Sequence, residues 1–269
     1  IFSTVIGILL SFFVIIIIFI GVLSVSSEYQ KKEKKIDKNT ILKINLSTPV
    51  VERASTNPLA DLDIFNPEPK KQLELKAILD NIEKAKFDDN IIAIYINSPV
   101  VNAGLSQTEE IRNKLLEFKK TGKPIVAYSE VYSIKNYFLS SVADKIYMNP
   151  IGGIDHKGLS ATVMFFKGLL EKLNIDLQIF RLGKFKSAIE PFTLDKMSNE
   201  NREQLKLMLN SINNNIMDSI SSQRQIPFEM VKKHANQLTL NSAEICLEKG
   251  YIDHLIYEDQ VEDSLIAIG

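Results

Sequence analysis

Ile1–Ser27 carries no charged side chain, and no other feature of the chain narrows its possible folds as far. Its centre is Phe12-Phe13-Val14-Ile15-Ile16-Ile17-Ile18-Phe19-Ile20. About 20 apolar residues at ~1.5 Å rise each cross the ~30 Å hydrocarbon core of a bilayer. A cleavable signal peptide has a shorter apolar stretch and a small-residue cleavage site. Val22-Leu23-Ser24-Val25-Ser26 is only a faint cleavage signal, so the segment reads as an uncleaved transmembrane anchor. A first residue of Ile rather than Met reads as a fragment with an upstream piece missing. The basic run Lys31-Lys32-Glu33-Lys34-Lys35, taken alone, would hold the following domain in the cytoplasm. Without upstream residues the charge bias does not fix an orientation.

The remaining residues, about 240, are ample to bury a core. A formal net charge of -1 gives no reason to expect a nucleic-acid partner. One cysteine, Cys246, excludes an intrachain disulfide and a multi-cysteine metal site, and reads as a small buried apolar residue. His156, His234 and His254 lack metal-ligand spacing and read as surface or structural residues.

After a polar linker over 28–39, Ile41–Leu46 reads as a strand. Residues 47–71, with Pro49, Pro58, Pro67 and Pro69, read as a long loop. Leu73, Leu75, Ile78, Leu79, Ile82 and Ala85 keep helical spacing. Ile91–Ile96 is a continuous apolar run, the mark of a strand covered on both faces. The alternation continues with helix 108–120, strand 125–128, helix 134–143, strand 145–148, helix 162–173, strand 177–181 and helix 199–223. In helix 108–120, Ile111, Leu115, Leu116 and Phe118 are expected inward, and Glu109, Glu110, Arg112 and Lys114 outward. Strands alternating with helices predict parallel βα units, an α/β fold. No Gly-x-Gly-x-x-Gly turn, Gly-x-Ser-x-Gly elbow or His-Glu-x-x-His helix occurs, Gly152-Gly153 reads as a turn, and no cofactor or metal is expected.

The segment most suggestive of chemistry is Gly183-Lys184-Phe185-Lys186-Ser187-Ala188-Ile189-Glu190-Pro191-Phe192. On an extended backbone Lys184 and Lys186 share a face. A lysine against apolar walls loses hydration and becomes a usable general base towards a serine hydroxyl. Taken alone, Lys-x-Lys reads more simply as a pair of solvated surface lysines.

The wider motif resembles the signal peptide peptidase A family in its long, two-repeat bacterial form. The resemblance is carried by this segment with Asp195-Lys196-Met197-Ser198 and Asn201-Arg202-Glu203-Gln204, and by the stretch Gly122–Glu130. It extends through Tyr137–Pro150 and Lys157–Ala161 into Phe165-Phe166-Lys167, and covers most of residues 40–260. It implies a ClpP/crotonase-like spiral of ββα units, with residues 1–27 as anchor, 28–39 as linker and 40–269 as an N-terminal, lysine-bearing repeat. It further implies a serine peptidase with a Ser–Lys dyad, assembled as a homotetramer in the bacterial inner membrane. Its domain would lie outside the cytoplasm and degrade remnant signal peptides or unfolded peptides at the lipid surface. The residue immediately before Ser187-Ala188, Lys186, matches the family's catalytic lysine; Lys184 does not.

The family's nucleophile lies in a second repeat, which this sequence lacks up to Gly269. Ser133 lies near the equivalent place, but Ile134-Lys135-Asn136 follows it where active repeats have a glycine-containing stretch. Backbone N–H groups of an oxyanion hole need open approach, so Ser133 reads as structural and the chain as a half site. The other readings are a non-catalytic membrane-anchored scaffold or binding module, and an acyl-CoA-binding crotonase enzyme, which the anchor disfavours.

Overall fold

A computed structural model describes residues 2–29, 36–53, 71–180 and 186–268 of the chain. The chain divides into two units, Ile1–Lys38 and Asn39–Gly269.

The first unit contains one helix, α1 (Phe2–Tyr29). Among the described residues it is the one helix long and apolar enough to cross a membrane, with mean hydropathy 3.0 over Phe2–Ile20. It runs two residues into the segment read from sequence as linker; residues 30–35 lie outside the described set.

The second unit is built on a five-stranded parallel sheet. Its strands are β1 (Thr40–Ile44), β4 (Ile91–Asn97), β5 (Ile125–Ser129), β7 (Lys145–Met148) and β9 (His254–Leu255), in that spatial order. Two short parallel pairs accompany it: β2 (Val50–Val51) with β3 (Leu73–Glu74), and β6 (Tyr132–Ser133) with β8 (Ile154–Asp155). Helices α2 (Leu75–Phe87), α3 (Leu105–Lys119) and α4 (Ile134–Ser140) connect strands of the sheet. After β8 come α5 (Lys167–Lys172), a 3-10 turn (Ser187–Ile189), α6 (Glu190–Thr193), α7 (Asn199–Arg224), α8 (Phe228–Asn236) and α9 (Ala243–Glu248). The last helix, α10 (Glu258–Ile266), follows β9.

Successive strand residues point to opposite faces, and both faces are covered. Ile94, Ile96, Ile125, Ala127, Ile146 and Met148 join the main core with Ile82, Ile111, Leu115, Phe118 and Ile220. The alternate residues Tyr95, Val126, Tyr128 and Tyr147 meet Val261 of α10 in a smaller cluster. This two-sided burial explains the unbroken apolar runs of β4 and β5. Each fully buried Ile or Leu contributes roughly 1.5–3 kcal/mol.

The two glycines between β7 and β8 sit in a turn closed by the Gly152 N–H donating to Asn149 O. A Cβ on Gly152 would stand 2.1 Å from the Glu130 carbonyl oxygen, so the close backbone approach there requires glycine. Cys246 is buried, its thiol pushed up to about 11 by desolvation, which leaves it an inert core residue.

Three sequence expectations are corrected. Of the strand expected over 177–181, Arg181 lies outside the described residues, and 177–180 pair with no strand among the described residues, with Leu177 and Phe180 exposed. The sheet position beside β7 is taken by β9 instead. The helix expected over 162–173 is confined to α5, because Phe166 N–H donates to Pro191 O and its ring stacks on Phe192. Arg112 does not face outward: it is 5% exposed and lies over the Phe138 ring.

Candidate functional site

In parallel α/β sheets, ligand sites gather beyond the carboxyl ends of the strands. Here the ends of β4 and β5 carry polar residues in an otherwise apolar setting. Asn97, Ser98 and Ser129 are buried there, together with Asn136 and Ser140 of α4. Asn136 Nδ2 donates to Ser98 O at 2.8 Å and to Ser129 Oγ at 3.3 Å, while Ser140 Oγ donates to Asn136 Oδ1 at 3.2 Å. Ser98 Oγ in turn accepts from Leu46 N at 2.9 Å. The network pins the start of α4 to two strand ends, and pairing of this kind removes most of the cost of burying polar groups.

Ser133 stands at that start. It is exposed, and its Oγ accepts the Asn136 N–H at 3.2 Å, making it the N-cap of α4. Two residues on, Lys135 reaches across to donate to Ala103 O at 2.7 Å, and partial desolvation holds its ammonium below the usual lysine range. The two side chains that follow Ser133 are thus Ile134, partly buried against the core, and a lysine bridging to the residues before α3.

Lys186 lies on the other candidate segment. It immediately precedes the 3-10 turn Ser187–Ile189, with φ -93° and ψ 79°, and it is exposed. Of the apolar neighbours expected beside it, Ile189 is partly buried, and Phe185, like Lys184, lies outside the described residues. Downstream the segment is firmly held. Glu190 is buried and accepts from Ser198 N at 3.1 Å, Ser198 Oγ at 2.5 Å and Asn201 Nδ2 at 3.0 Å.

A separate cavity of about 430 Å³ opens beside β8, lined by Gly153, Asp155, His156, Leu240 and Asn241 among others. His156 is buried, and among the described residues neither ring nitrogen has a hydrogen-bond partner. Burial, with His234 nearby, pushes its imidazole down to about 4, which keeps it neutral. His234 is likewise buried, with Nδ1 3.1 Å from Tyr251 Oη. Among the described residues no group of three or more His, Cys, Asp or Glu could hold a metal.

Sequence reasoning gave no separate role to Asn97, Ser98, Ser129, Asn136 and Glu190, although Asn136 and Glu190 lie within the motifs it quoted. Their signal was polar residues at the ends of apolar strand runs, an i, i+4 Asn–Ser pair inside an apolar helix, and an acid within an apolar motif.

Parallel strands with polar ends and a lysine-bearing turn docked on a long helix make up this unit, and its sequence matches a peptidase family. The profile of peptidase family S49 matches residues 117–267, more than half of the chain, and the chain belongs to that family. Protease 4 of Haemophilus influenzae is 32% identical over 195 residues, covering 70% of this chain and 32% of that protein. The chloroplastic serine protease SPPA of Arabidopsis thaliana is 32% identical over 189 residues, covering 70% and 28% respectively. The chain therefore spans about a third of the length of these curated relatives. A solved enoyl-CoA hydratase/isomerase family protein from Silicibacter pomeroyi superposes with a TM-score of 0.45 at 13% identity, covering 87% of this chain and 81% of that one.

Proposed function

We propose that this chain is the lysine-bearing part of a membrane-anchored serine peptidase, in which Lys186 is the general base of a Ser–Lys dyad. The observation that carries the reading is Lys186 itself, exposed at the head of an anchored turn in a chain of peptidase family S49. In its neutral form the lysine takes the proton of a serine hydroxyl as Oγ attacks the scissile carbonyl. It then returns that proton to the departing amine, and water releases the acyl group. Only an amine stripped of water serves as such a base. A lysine exposed in the single chain fits a site completed by a second surface, one that brings the nucleophile and covers the lysine.

Ser133 is not that nucleophile in this reading. Its Oγ caps α4, and the residues after it are Ile134, packed on the core, and Lys135, tied to Ala103 O, where an open oxyanion site would take glycines. The substrates we infer are signal-peptide remnants and other unfolded peptides emerging from the lipid. The assembly is a homotetramer in the bacterial inner membrane, with α1 as a single span and the catalytic unit outside the cytoplasm. No cofactor takes part.

A fluorophosphonate serine probe tests the half site. The purified 269-residue chain, incubated with an unfolded peptide, is expected to show neither labelling nor cleavage. Labelling at Ser133, lost together with cleavage in Ser133→Ala, would make this repeat a complete enzyme.

A further inference from the structure

Between Lys186 and Leu194 only one side chain is buried, and it is a carboxylate, Glu190. Apolar side chains would ordinarily dock such a turn, but here Ser187, Ile189 and Thr193 are only partly buried and Ala188 and Phe192 are exposed. The Glu190 N–H closes the 3-10 turn on Ser187 O, so the position of Glu190 and the path of the backbone leaving Lys186 are coupled. Its carboxylate accepts from the Ser198 amide, the Ser198 hydroxyl and the Asn201 side chain, all in the first turn of α7. That helix is rooted in the core through Ile216, Met217 and Ile220. A carboxylate taken out of water is tolerated only against charge-assisted donors, and the helix N-terminus adds favourable dipole.

We propose that Glu190 is the positioning residue for Lys186: it locks the lysine-bearing turn onto the N-terminus of α7 and so fixes where the lysine points. This rests on Lys186 being the base. A glutamine at 190 keeps the size of the side chain, but has one acceptor oxygen where the donors of α7 require two.

The test is peptide cleavage by the complete protein, with the Lys186→Met variant as control. Glu190→Gln is expected to lower kcat at least 30-fold with KM within threefold, and to displace the acid limb of the kcat pH profile. Amide exchange over 187–190 should quicken at least tenfold while β4 and β5 keep their protection. Exchanging the two roles, Glu190→Gln with Ser198→Asp, returns a carboxylate to the cap and should recover at least tenfold in kcat. Ser198→Ala, which removes one donor to Glu190 and the N-cap acceptor of α7 while leaving Glu190 in place, provides a second reading if Glu190→Gln does not fold, with a five- to tenfold loss in kcat expected. Wild-type kcat and pH profile in Glu190→Gln or Ser198→Ala, beside an inactive Lys186→Met, would overturn the positioning role alone. Full activity in Lys186→Met would instead remove the dyad beneath it.

Discussion

Two buried residues of similar polarity are handled in opposite ways. Arg112 is buried with partners: Nε donates to Phe138 O at 3.1 Å, Nη2 to Ser219 O at 3.2 Å, and the guanidinium lies 5.0 Å from the Phe138 ring centroid. Desolvation lowers it only to about 10, so it stays charged at neutral pH and ties α3 to α4 and α7. Arg112→Ala should cost about 2–4 kcal/mol in denaturant unfolding, because a buried side chain packed on the Phe138 ring is removed and two carbonyls each lose one donor. His156 is buried without partners among the described residues and pays for it in protons. Its folded form stays neutral down to about pH 4, whereas an unfolded histidine binds a proton near 6.5. Below pH 6.5 the unfolded chain therefore gains protons that the folded chain refuses, and stability falls until about pH 4. The shift sets a ceiling of about 3 kcal/mol on that loss. His234, also lowered by burial, adds a loss of the same sign. Thermal melts of His156→Leu should show a flatter decline between pH 6.5 and 4 than wild type; an unchanged slope would exclude His156 as its source. Neither placement was legible in sequence. Arg112 follows charged residues on a helix of mixed polarity, and the packing of α4 and α7 against that face turns it inward. Cys246 was legible, since a lone cysteine without ligand spacing has little alternative to burial.

Elements read well where a single chain segment decides its own burial. β4, β5 and β7 are continuous apolar runs, and both faces of the sheet are covered as those runs require. The helix read over 162–173 is shortened to α5, and the strand read over 177–181 is not formed over its described residues 177–180. That stretch finds no sheet edge, because β9 arrives from far along the chain to fill it. Non-local competition of this kind leaves no local trace. Helix α7 divides in a way that can be measured: Ile216, Met217 and Ile220 are buried, whereas Leu207 is 64% exposed. Ile220→Ala should cost about 2–5 kcal/mol by denaturant midpoint. Leu207→Ala should stay within about 0.5 kcal/mol. Similar losses at both positions would show that the first half of α7 is covered by something beyond this chain. The site was legible only as motif. Lys186 stood out by its neighbours in sequence, but its exposure and the buried anchor at Glu190 belong to the docking of a turn on a helix that begins twelve residues later.

At the scale of the molecule, an apolar span and a parallel α/β unit are joined through a short connection in one chain. Under the proposed function, the second unit would work at the lipid surface, where a membrane-borne peptide emerges. Carbonate extraction should leave the intact protein in the membrane pellet, and protease added to spheroplasts should digest the second unit. Release into the supernatant with the N-terminal segment present would exclude a spanning α1. Protection from protease would place the unit in the cytoplasm. The central claim is narrower: one lysine of the Lys-x-Lys pair does proton transfer. The most direct measurement is peptide cleavage by the complete protein carrying Lys186→Met or Lys184→Met, with folding checked by thermal melt. The account predicts loss of at least 10³-fold in kcat for Lys186→Met at an unchanged melting temperature, in the range by which removing a general base slows such reactions, and most of the activity kept in Lys184→Met. Cleavage surviving Lys186→Met, or equal losses in the two variants, would contradict it.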